Sequence, residues 1–439
     1  PGRDMSRPQK RRHAAALHVK IAEIPKDEVN ESQMRLSPAR EEKGFQSVPA
    51  FCYGARPVSG PGKSDSLRVL FVNRMASLER GGGETFDLEI SRHLAKAGAQ
   101  VSFLSGAPLL RPAPLPVEGA RTLHTPWLRR FPWDKVKGGW RVRQLEFECF
   151  EWRAARWVAK HAHEFDVVQA CELPNFVHWL KMRGVKTPVV MRLTAPNYYD
   201  PRGGVKQADA LIASGTSIER LRERGLAQVV DVPNAVDAEL FRPQPSDFRQ
   251  TRGIGPAEFV ALYVARFQAF KNHATLVEAF ARLAQDHPAS RLVLVGSGPL
   301  RERTEQLARE RGLADKVLFL GEVPYRDLPG IYAAADVKVI SSDYESFCFA
   351  ALEAMSTGLP VLTTDCAWVP RLVSDGAGIV VPVGDAEAFA VALKKLADNP
   401  ALRQRMGATG RQQVLERHTW PASADKLARL YRELAGRHG

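Results

Sequence analysis

The alternation of short apolar runs with amphipathic stretches restricts the fold of this chain more than any other feature of its sequence. The runs have the length and near-continuous apolar character of strands in a buried parallel sheet, and helical spacing follows most of them. They fall into two series: Leu67–Val72, Val101–Leu104, Phe165–Val168, Pro188–Met191 and Ala210–Ala213, and then Phe259–Val264, Arg291–Val295, Val317–Leu320, Val337–Ile340, Val361–Thr363 and Gly378–Val381. Two such series predict an α/β protein with two doubly wound parallel sheets that face a central cleft.

The breaks between these series predict the domain organisation. Residues 1–65 mix Pro, Gly, Ser and basic residues without apolar periodicity, which is typical of a disordered extension. We expect a first Rossmann-like domain over 66–240 and a second over 241–420, separated by the Pro-rich stretch around Phe241–Pro245. A last helix within 421–439 would cross back to the first domain.

Composition narrows the class of protein. A chain of 439 residues is longer than a domain with a single hydrophobic core usually is, so two domains are expected. Its hydrophobic content of 44% and charged content of 25% are typical of a soluble globular protein. No apolar run approaches the roughly 20 residues that span a membrane, and no secretory signal opens the sequence. The five cysteines are scattered, without metal-ligand spacing. These features predict a cytoplasmic protein without a structural metal.

The net charge of +13 is unevenly spread. Residues 121–160 hold ten Lys/Arg against four Asp/Glu, a local charge of +6, and five of the eight tryptophans. Such a segment could bind the anionic surface of a membrane, which would place the protein on the inner face of that membrane. It could also bind a phosphate-bearing ligand. An amphipathic helix with a solvated basic face and a Trp core explains it equally well. It contains no motif that reads a nucleic-acid groove, so no nucleic-acid partner is expected.

Two features of the second half suit a diphosphate. Arg266 and Lys271 follow a strand directly, where two cations can bind an anion, although a pair of surface cations would look the same. Gly296 and Gly298 follow the next strand, where glycine lets the backbone approach a ligand and a helix N-terminus favours an anion. A lone Gly-x-Gly is weak evidence by itself.

The most informative pattern is a pair of carboxylates eight positions apart, Glu345 and Glu353, around the start of a helix. Glu345 would lie in the loop, where it can accept hydrogen bonds from sugar hydroxyls. Glu353 would lie on the helix near a ribose. The helix start at Ser346, Phe347 and Cys348 would direct its N–H groups at a diphosphate. Ordinary helix capping and surface charge are the alternative explanation of the same pattern.

With these residues the sequence resembles glycosyltransferase family 4, the retaining group 1 glycosyltransferases of GT-B fold. The resemblance extends from Leu67 to the C-terminus. Its Glu-x7-Glu motif matches Glu345 and Glu353, followed by Ala354–Val361. Further matches are Arg266 with Lys271-Asn272, Val295–Pro299, Phe319–Val323, Ala335–Val337, Asn234–Asp237 and His418–Trp420.

The resemblance implies a function and a role for each matched residue. The chain would be a hexosyltransferase that moves a sugar, with retention and without a metal or other cofactor, from a donor such as a UDP- or GDP-sugar to a saccharide or lipid-linked acceptor, as in polysaccharide biosynthesis. Catalysis would depend on Glu345, Arg266 and Lys271. Donor binding would involve Glu353, Gly296, Gly298, Gly321, Val323, Ser346, Phe347, Cys348, Gly82 and Gly83.

The sequence also departs from the family pattern. The first-domain histidine common in the family is missing from Met191–Ala195, and Cys348, Ala235 and Ala265 stand where glycine is usual. Two alternatives therefore stay open, a GT-B-fold sugar-nucleotide epimerase and a non-catalytic partner that binds a sugar nucleotide. A phosphorylase would need a pyridoxal-phosphate lysine, and none is identified.

Overall fold

The computed structural model describes residues 66–76, 82–108, 121–125, 139–194, 198–226, 228–345, 347–373 and 375–438. The expected disordered extension 1–65 lies outside the described residues. So do Ser346 and most side chains of the basic segment between positions 124 and 143.

The described residues form two parallel sheets. The strands are β1 (Arg68–Asn73), β2 (Gln100–Pro108), β3 (Arg121–Thr125), β4 (Val167–Cys171), β5 (Val189–Arg192), β6 (Ala210–Ala213), β7 (Val229–Asp231), β8 (Phe259–Val264), β9 (Ser290–Val295), β10 (Val317–Gly321), β11 (Val337–Ile340), β12 (Val361–Thr364) and β13 (Gly378–Val381). The first sheet has the order β3-β2-β1-β4-β5-β6-β7 and the second β10-β9-β8-β11-β12-β13. Every strand pair is parallel. The predicted pair of doubly wound, Rossmann-like sheets is confirmed.

Helices connect the strands and cover both faces of each sheet. They are α1 (Gly82–Lys96), α2 (Gly139–His161), α3 (Pro174–Met182), α4 (Gly204–Gln207), α5 (Thr216–Glu223), α6 (Phe248–Thr251), α7 (His273–Asp286), α8 (Arg301–Glu310), α9 (Leu328–Ala334), α10 (Phe349–Ser356), α11 (Val369–Val373), α12 (Ala386–Ala397), α13 (Pro400–Arg417) and α14 (Trp420–His438). Apolar side chains form one core around the second sheet and two around the faces of the first.

The strand order places the functional region. In each sheet the chain starts in the middle, moves to one edge, and returns to the other side of its first strand. The direction reverses between β1 and β4 in the first sheet and between β8 and β11 in the second. Ligands of doubly wound sheets bind outside the carboxyl ends of the strands at this point. In the second sheet, Lys271 follows β8 and Glu345 follows β11.

The last helix belongs structurally to the first sheet. α14 packs against α1, and Trp420, Leu427 and Tyr431 are buried in the same core as Phe71 and Phe86. The rings of Phe86 and Trp420 meet edge to face at 5.9 Å. The chain therefore leaves the first domain, builds the second, and ends on the first.

Candidate active site

A cleft of about 550 Å³ opens where the carboxyl ends of the two sheets meet. Side chains from both domains line it: Arg192, Thr194, Ser214, Ser217 and Asn234 from the first domain and the segment that leaves it, and Tyr263, Val264, Lys271, Glu345, Phe347, Cys348, Phe349 and Ala350 from the second. Beside the cleft the domains touch through an ion pair between Arg371 and Glu219. A ligand in this cleft would contact both domains at once.

Lys271 and Glu345 form the charged centre of the cleft. Lys271 Nζ lies 2.6 Å from Glu345 Oε1, and both side chains are largely buried, with exposed fractions of 17% and 9%. Ser342 Oγ donates to the same carboxylate oxygen at 2.7 Å. Glu345 Oε1 is thus held by two donors.

The loop that carries Lys271 is fixed by its neighbours. Tyr263 Oη donates to the Lys271 carbonyl at 2.8 Å, and Ser341 Oγ donates to the same carbonyl at 3.1 Å. Asn272 adopts φ 46° and caps α7 through a hydrogen bond that its side chain accepts from the Thr275 N–H. The lysine therefore sits on a backbone that is held in place at several points.

The two glycines after β9 allow a close backbone approach. A Cβ at Gly296 would lie 2.1 Å from the Ala265 carbonyl oxygen, and one at Gly298 would lie 2.6 Å from that of Phe267. Both glycines have positive φ, 135° and 149°. They let the turn pack directly on the loop between Arg266 and Lys271, so their role in the described structure is to support that loop.

The start of α10 faces the same cleft. Phe347 and Cys348 line it, and Cys348 is the residue before the first helical position. Cys348 has φ 73°, the left-handed region that favours glycine, so a non-glycine residue is strained here. Burial raises the pKa of its thiol to about 12. The thiol therefore stays protonated at neutral pH.

Glu353 lies behind the cleft rather than on its lining. It is 7% exposed, and Tyr332 Oη donates to its Oε2 at 2.7 Å. Burial raises the pKa of this carboxyl, while the Tyr332 hydrogen bond and the nearby Lys338 lower it.

The remaining predicted residues are spread around the site. Arg266 is exposed at the start of the loop that ends in Lys271, and it is not among the described residues that line the cleft. Gly321 ends β10, and its carbonyl accepts from the Gly296 N–H at 2.7 Å; Val323 follows it. Gly82 and Gly83 begin α1 in the first domain.

Sequence reasoning missed the first-domain wall of the cleft. Arg192 is the principal residue there: it is 6% exposed, ends β5, and its guanidinium lies 4.0 Å from the centre of the Phe86 ring. It occupies the stretch in which the family histidine was sought. The available signal was its position at the carboxyl end of a buried strand, where a charged residue interrupts an apolar run.

A buried polar network lies next to Arg192. Asp87 accepts hydrogen bonds from Asn73 Nδ2 at 2.8 Å and from Gln169 Nε2 at 3.0 Å. Burial raises the pKa of the Asp87 carboxyl, and the charge of Arg192 opposes that rise. The first-domain wall of the cleft therefore contains ionisable side chains, Arg192 and Asp87, of which Asp87 is held by hydrogen bonds.

Neither a metal cluster nor a spanning helix is found among the described residues. No group of three His, Cys, Asp or Glu side chains is placed to hold a metal ion. None of the helices described is both long and apolar enough to cross a bilayer.

Comparison with known sequences relates this chain to sugar-transferring enzymes. Residues 246–413 match the family described as glycosyl transferases group 1. A D-inositol 3-phosphate glycosyltransferase of Corynebacterium urealyticum is 31% identical over 310 residues, which cover 63% of this chain and 73% of that protein. A glycogen synthase of Mycobacterium tuberculosis is 30% identical over 240 residues, 54% of this chain and 56% of that protein. The chain therefore spans little more than half the length of some of these relatives.

Solved structures share the architecture. A sucrose-phosphate synthase from Thermosynechococcus elongatus superposes with a TM-score of 0.66 at 24% identity, covering 84% of this chain and all of that one. Anabaena HepE, solved with UDP and glucose, gives a TM-score of 0.63 at 20% identity over 84% of this chain and 100% of that one. The fold is GT-B.

Proposed function

This chain belongs to the group 1 glycosyl transferases, and from that premise we propose that it transfers a hexose, with retention, from a nucleoside-diphosphate sugar to a saccharide or lipid-linked acceptor. One observation carries the proposal: the Lys271–Glu345 pair lies in the interdomain cleft, directly before the amino end of α10. The pair offers a cation for a phosphate and a carboxylate for a sugar within one cleft.

The donor diphosphate would lie against the second domain. Lys271 and Arg266 supply positive charge after β8. The first residues of α10, Phe349 and Ala350, line the cleft, so the helix would present its free N–H groups and the positive end of its dipole to the diphosphate. These groups stabilise the negative charge that develops on the departing nucleoside diphosphate. No metal ion takes part in this proposal, because the cations and amides perform that role.

The reaction itself needs no protein base. The acceptor hydroxyl oxygen bonds to the anomeric carbon on the face from which the diphosphate oxygen departs. Its proton passes to that departing oxygen, so the products are the glycoside and the nucleoside diphosphate. Glu345, held by Lys271 and Ser342, would orient donor hydroxyls and favour positive charge on the sugar. Arg192 and Thr194 face this position from the acceptor side.

Nucleotide binding is the direct test. UDP, GDP and their sugars should raise the melting temperature of the wild-type chain, because a ligand that binds only the folded state stabilises it by mass action. The Lys271→Met and Arg266→Ala variants should each bind more weakly, by about 1.5–3 kcal/mol for the loss of a charge-assisted contact. Lys395→Met, a change at an exposed lysine of α12, is the matched control. Wild-type affinity in both variants would show that the diphosphate lies elsewhere.

Product analysis separates transfer from its alternatives. A transferase should release nucleotide faster when an acceptor is added and should form a glycoside that retains the anomeric configuration. A sugar-nucleotide epimerase would act on the donor alone, and a non-catalytic partner would bind nucleotide without turnover. Either result with the wild-type chain, over a broad acceptor panel, would contradict the proposed transfer.

A further inference from the structure

One helix of the first domain, α5, contacts the two segments of the second domain that adjoin Glu345. Arg371 on α11 donates two hydrogen bonds to the Glu219 carboxylate of α5, and the one from Nη2 to Oε2 measures 3.0 Å. Tyr344, the residue before Glu345, places its Oη 3.5 Å from Thr216 Oγ1 at the start of α5. Both contacts cross the boundary between the two domains.

A third contact strengthens this junction. The guanidinium of Arg220, the residue after Glu219 on α5, lies 5.5 Å from the centre of the Tyr344 ring. A single exposed ion pair contributes little, and Arg371 and Glu219 are about half exposed, at 51% and 49%. Here a bidentate ion pair and a cation over an aromatic ring come from one helix and act on neighbouring parts of one site. We therefore expect the contacts to act together.

The two contacted segments are joined to each other at Glu345. Glu345 and Ala367 form an isolated parallel bridge, and the Trp368 N–H donates to the Glu345 carbonyl at 3.4 Å. The Arg371 N–H in turn donates to the Trp368 carbonyl at 3.0 Å. Ala367 has φ 66°, a strained value for alanine, so the junction depends on the contacts around it. One residue, Trp368, thus separates Arg371 from the Glu345 backbone.

The side chain and the backbone of Glu345 are therefore held from different directions. Its carboxylate is fixed inside the second domain by Lys271 and Ser342. Its backbone is connected through Tyr344 and Trp368 to contacts with the first domain.

We propose that Glu219, Arg371 and Tyr344 form an interdomain latch that positions Glu345 for sugar transfer. Glu219 and Arg371 are positioning residues, since neither is among the described residues that line the cleft. The connection between the latch and the Glu345 loop requires no ligand. Only its effect on transfer rests on the function proposed above.

The connection is tested first without a ligand, by hydrogen–deuterium exchange of the whole chain. Glu219→Arg places two guanidinium groups opposite each other and leaves every residue of the second domain unchanged. Peptides that contain Glu345 or Trp368 should exchange about fivefold faster than in wild type, because local opening costs less free energy once these contacts are lost. The charge swap Glu219→Arg/Arg371→Glu should return their exchange to within about twofold of wild type, because it restores an attractive pair.

The chain offers a matched control for this change. Glu387 on α12 forms an exposed ion pair with Arg282 on α7, with exposed fractions of 66% and 56%, and both residues belong to the second domain. Glu387→Arg creates the same repulsion away from the domain boundary. It should leave exchange around Glu345 and Trp368 at the wild-type rate.

Transfer is measured next. In Glu219→Arg, kcat should fall about fivefold while the Kd of UDP and of GDP stays within about twofold of wild type, because Lys271 and α10 belong wholly to the second domain. The charge swap should restore kcat. A merely structural effect would lower the urea midpoint, would weaken turnover and nucleotide affinity together, and would not be repaired by the swap.

The outcomes separate the latch from the proposed function. Wild-type exchange around Glu345 in Glu219→Arg would overturn the latch, and so would a swap variant that exchanges as fast as the single variant. Faster exchange with an unchanged kcat would overturn the positioning role. If the wild-type chain neither binds UDP or GDP nor forms a glycoside, the proposed function is contradicted, and the exchange experiment still decides whether the latch holds the Glu345 loop.

Discussion

Glu345 is the residue around which the charged and polar groups of the cleft are arranged. It sits before α10 and is fixed by Lys271 and Ser342, and in the proposed function its carboxylate would face the sugar rather than the base. We predict that Glu345→Gln lowers kcat about 100-fold and leaves the affinity for nucleoside diphosphate nearly unchanged, because its interaction strengthens in the transition state. Steady-state kinetics and calorimetric Kd values check this, with the exposed Glu387→Gln as control. Normal turnover in Glu345→Gln would refute the role.

His273 is a buried histidine whose ring nitrogens have no hydrogen-bond partner among the described residues. It is 4% exposed and stacks on Phe267 at 4.2 Å between ring centres. Burial lowers its pKa from 6.5 to about 3. Below pH 6.5 the unfolded chain therefore binds a proton that the folded chain does not.

Stability should consequently fall as the pH drops from 6.5 towards 3, by at most about 1.4 kcal/mol per pH unit from this residue. His418, whose pKa burial also lowers, contributes in the same direction. In His273→Leu the free energy of unfolding should depend less steeply on pH. The stability of the variant relative to wild type should therefore rise as the pH falls. Urea unfolding between pH 7.5 and 5 measures this, with exposed His163→Leu as control. Parallel curves for wild type and His273→Leu would contradict it.

The residues that sequence reasoning identified differ from those it missed in one physical respect. Lys271 and Glu345 lie at strand ends, and strand ends of a parallel sheet converge on one edge, so their proximity follows from the strand pattern. Glu219 and Arg371 lie on helices of different domains, so their contact depends on how the two domains meet. Arg192 does end a strand, β5, but it lines the cleft because the second domain faces it, and the strand pattern of the first domain does not show that approach.

The turn after β9 supports the loop after β8. Because a Cβ at Gly296 would overlap the Ala265 carbonyl, Gly296→Ala should displace the loop that carries Arg266 and Lys271 and weaken nucleotide binding by at least about tenfold. Gly312→Ala is the matched control, since Gly312 also has positive φ but has open space around it. Both variants should lose stability, and Gly296→Ala alone should lose affinity. Equal nucleotide affinity in the two variants would argue against this coupling.

Helix α2 exposes one unusual face. Leu145 is 66% and Trp152 39% exposed, and the exposed Arg153, Arg156 and Lys160 lie on the same part of the helix. Arg156 Cζ lies 4.8 Å from the centre of the Trp152 ring. Trp157, by contrast, packs against the core of the first domain. The helix thus offers both apolar and basic groups to a surface.

We predict that this face binds anionic membranes. Each Lys or Arg near such a surface contributes about 1 kcal/mol, and salt screens the attraction. Sedimentation should show binding to vesicles that contain phosphatidylserine and little binding to neutral ones, and the Trp152→Ser/Arg156→Glu double variant should bind less. Arg309→Glu on α8 is the control. Equal, negligible sedimentation with both vesicle types would contradict membrane binding. The basic, Trp-rich segment would then be explained as an amphipathic helix with a solvated basic face.

Elements were predictable where the apolar pattern was complete. The central strands β8, β9, β11 and β12 of the second sheet are buried almost throughout, so each reads as a nearly continuous apolar run. The predicted bounds of all six strands of this sheet agree with the structure within two residues. β3 and β7 were not predicted, because each is an edge strand of the first sheet with a polar or short sequence. α1 starts at Gly82 although glycine disfavours a helix locally, because the surrounding fold decides where the helix begins.

α14 completes the first domain with residues that follow the second domain in sequence. Tyr431 is fully buried, and its hydroxyl donates to Gln169, which in turn donates to Asp87. That network borders Arg192 on the first-domain wall of the cleft. The end of the chain therefore supports both the core of the first domain and the position of its cleft residues.

This arrangement predicts different effects on stability and on binding. Tyr431→Phe should cost about 1 kcal/mol of unfolding free energy through the lost hydrogen bond, and Tyr431→Ala about 3–5 kcal/mol through the cavity it leaves. Nucleoside diphosphate affinity should stay near that of wild type in Tyr431→Phe, because Lys271 and α10 belong to the other sheet. Turnover should fall more than affinity, because the Asp87 network beside Arg192 loses a support. Urea unfolding, calorimetry and steady-state kinetics measure the three quantities, with exposed Tyr199→Phe as control. If Tyr431→Ala unfolds like wild type, the C-terminal helix does not hold the first domain together.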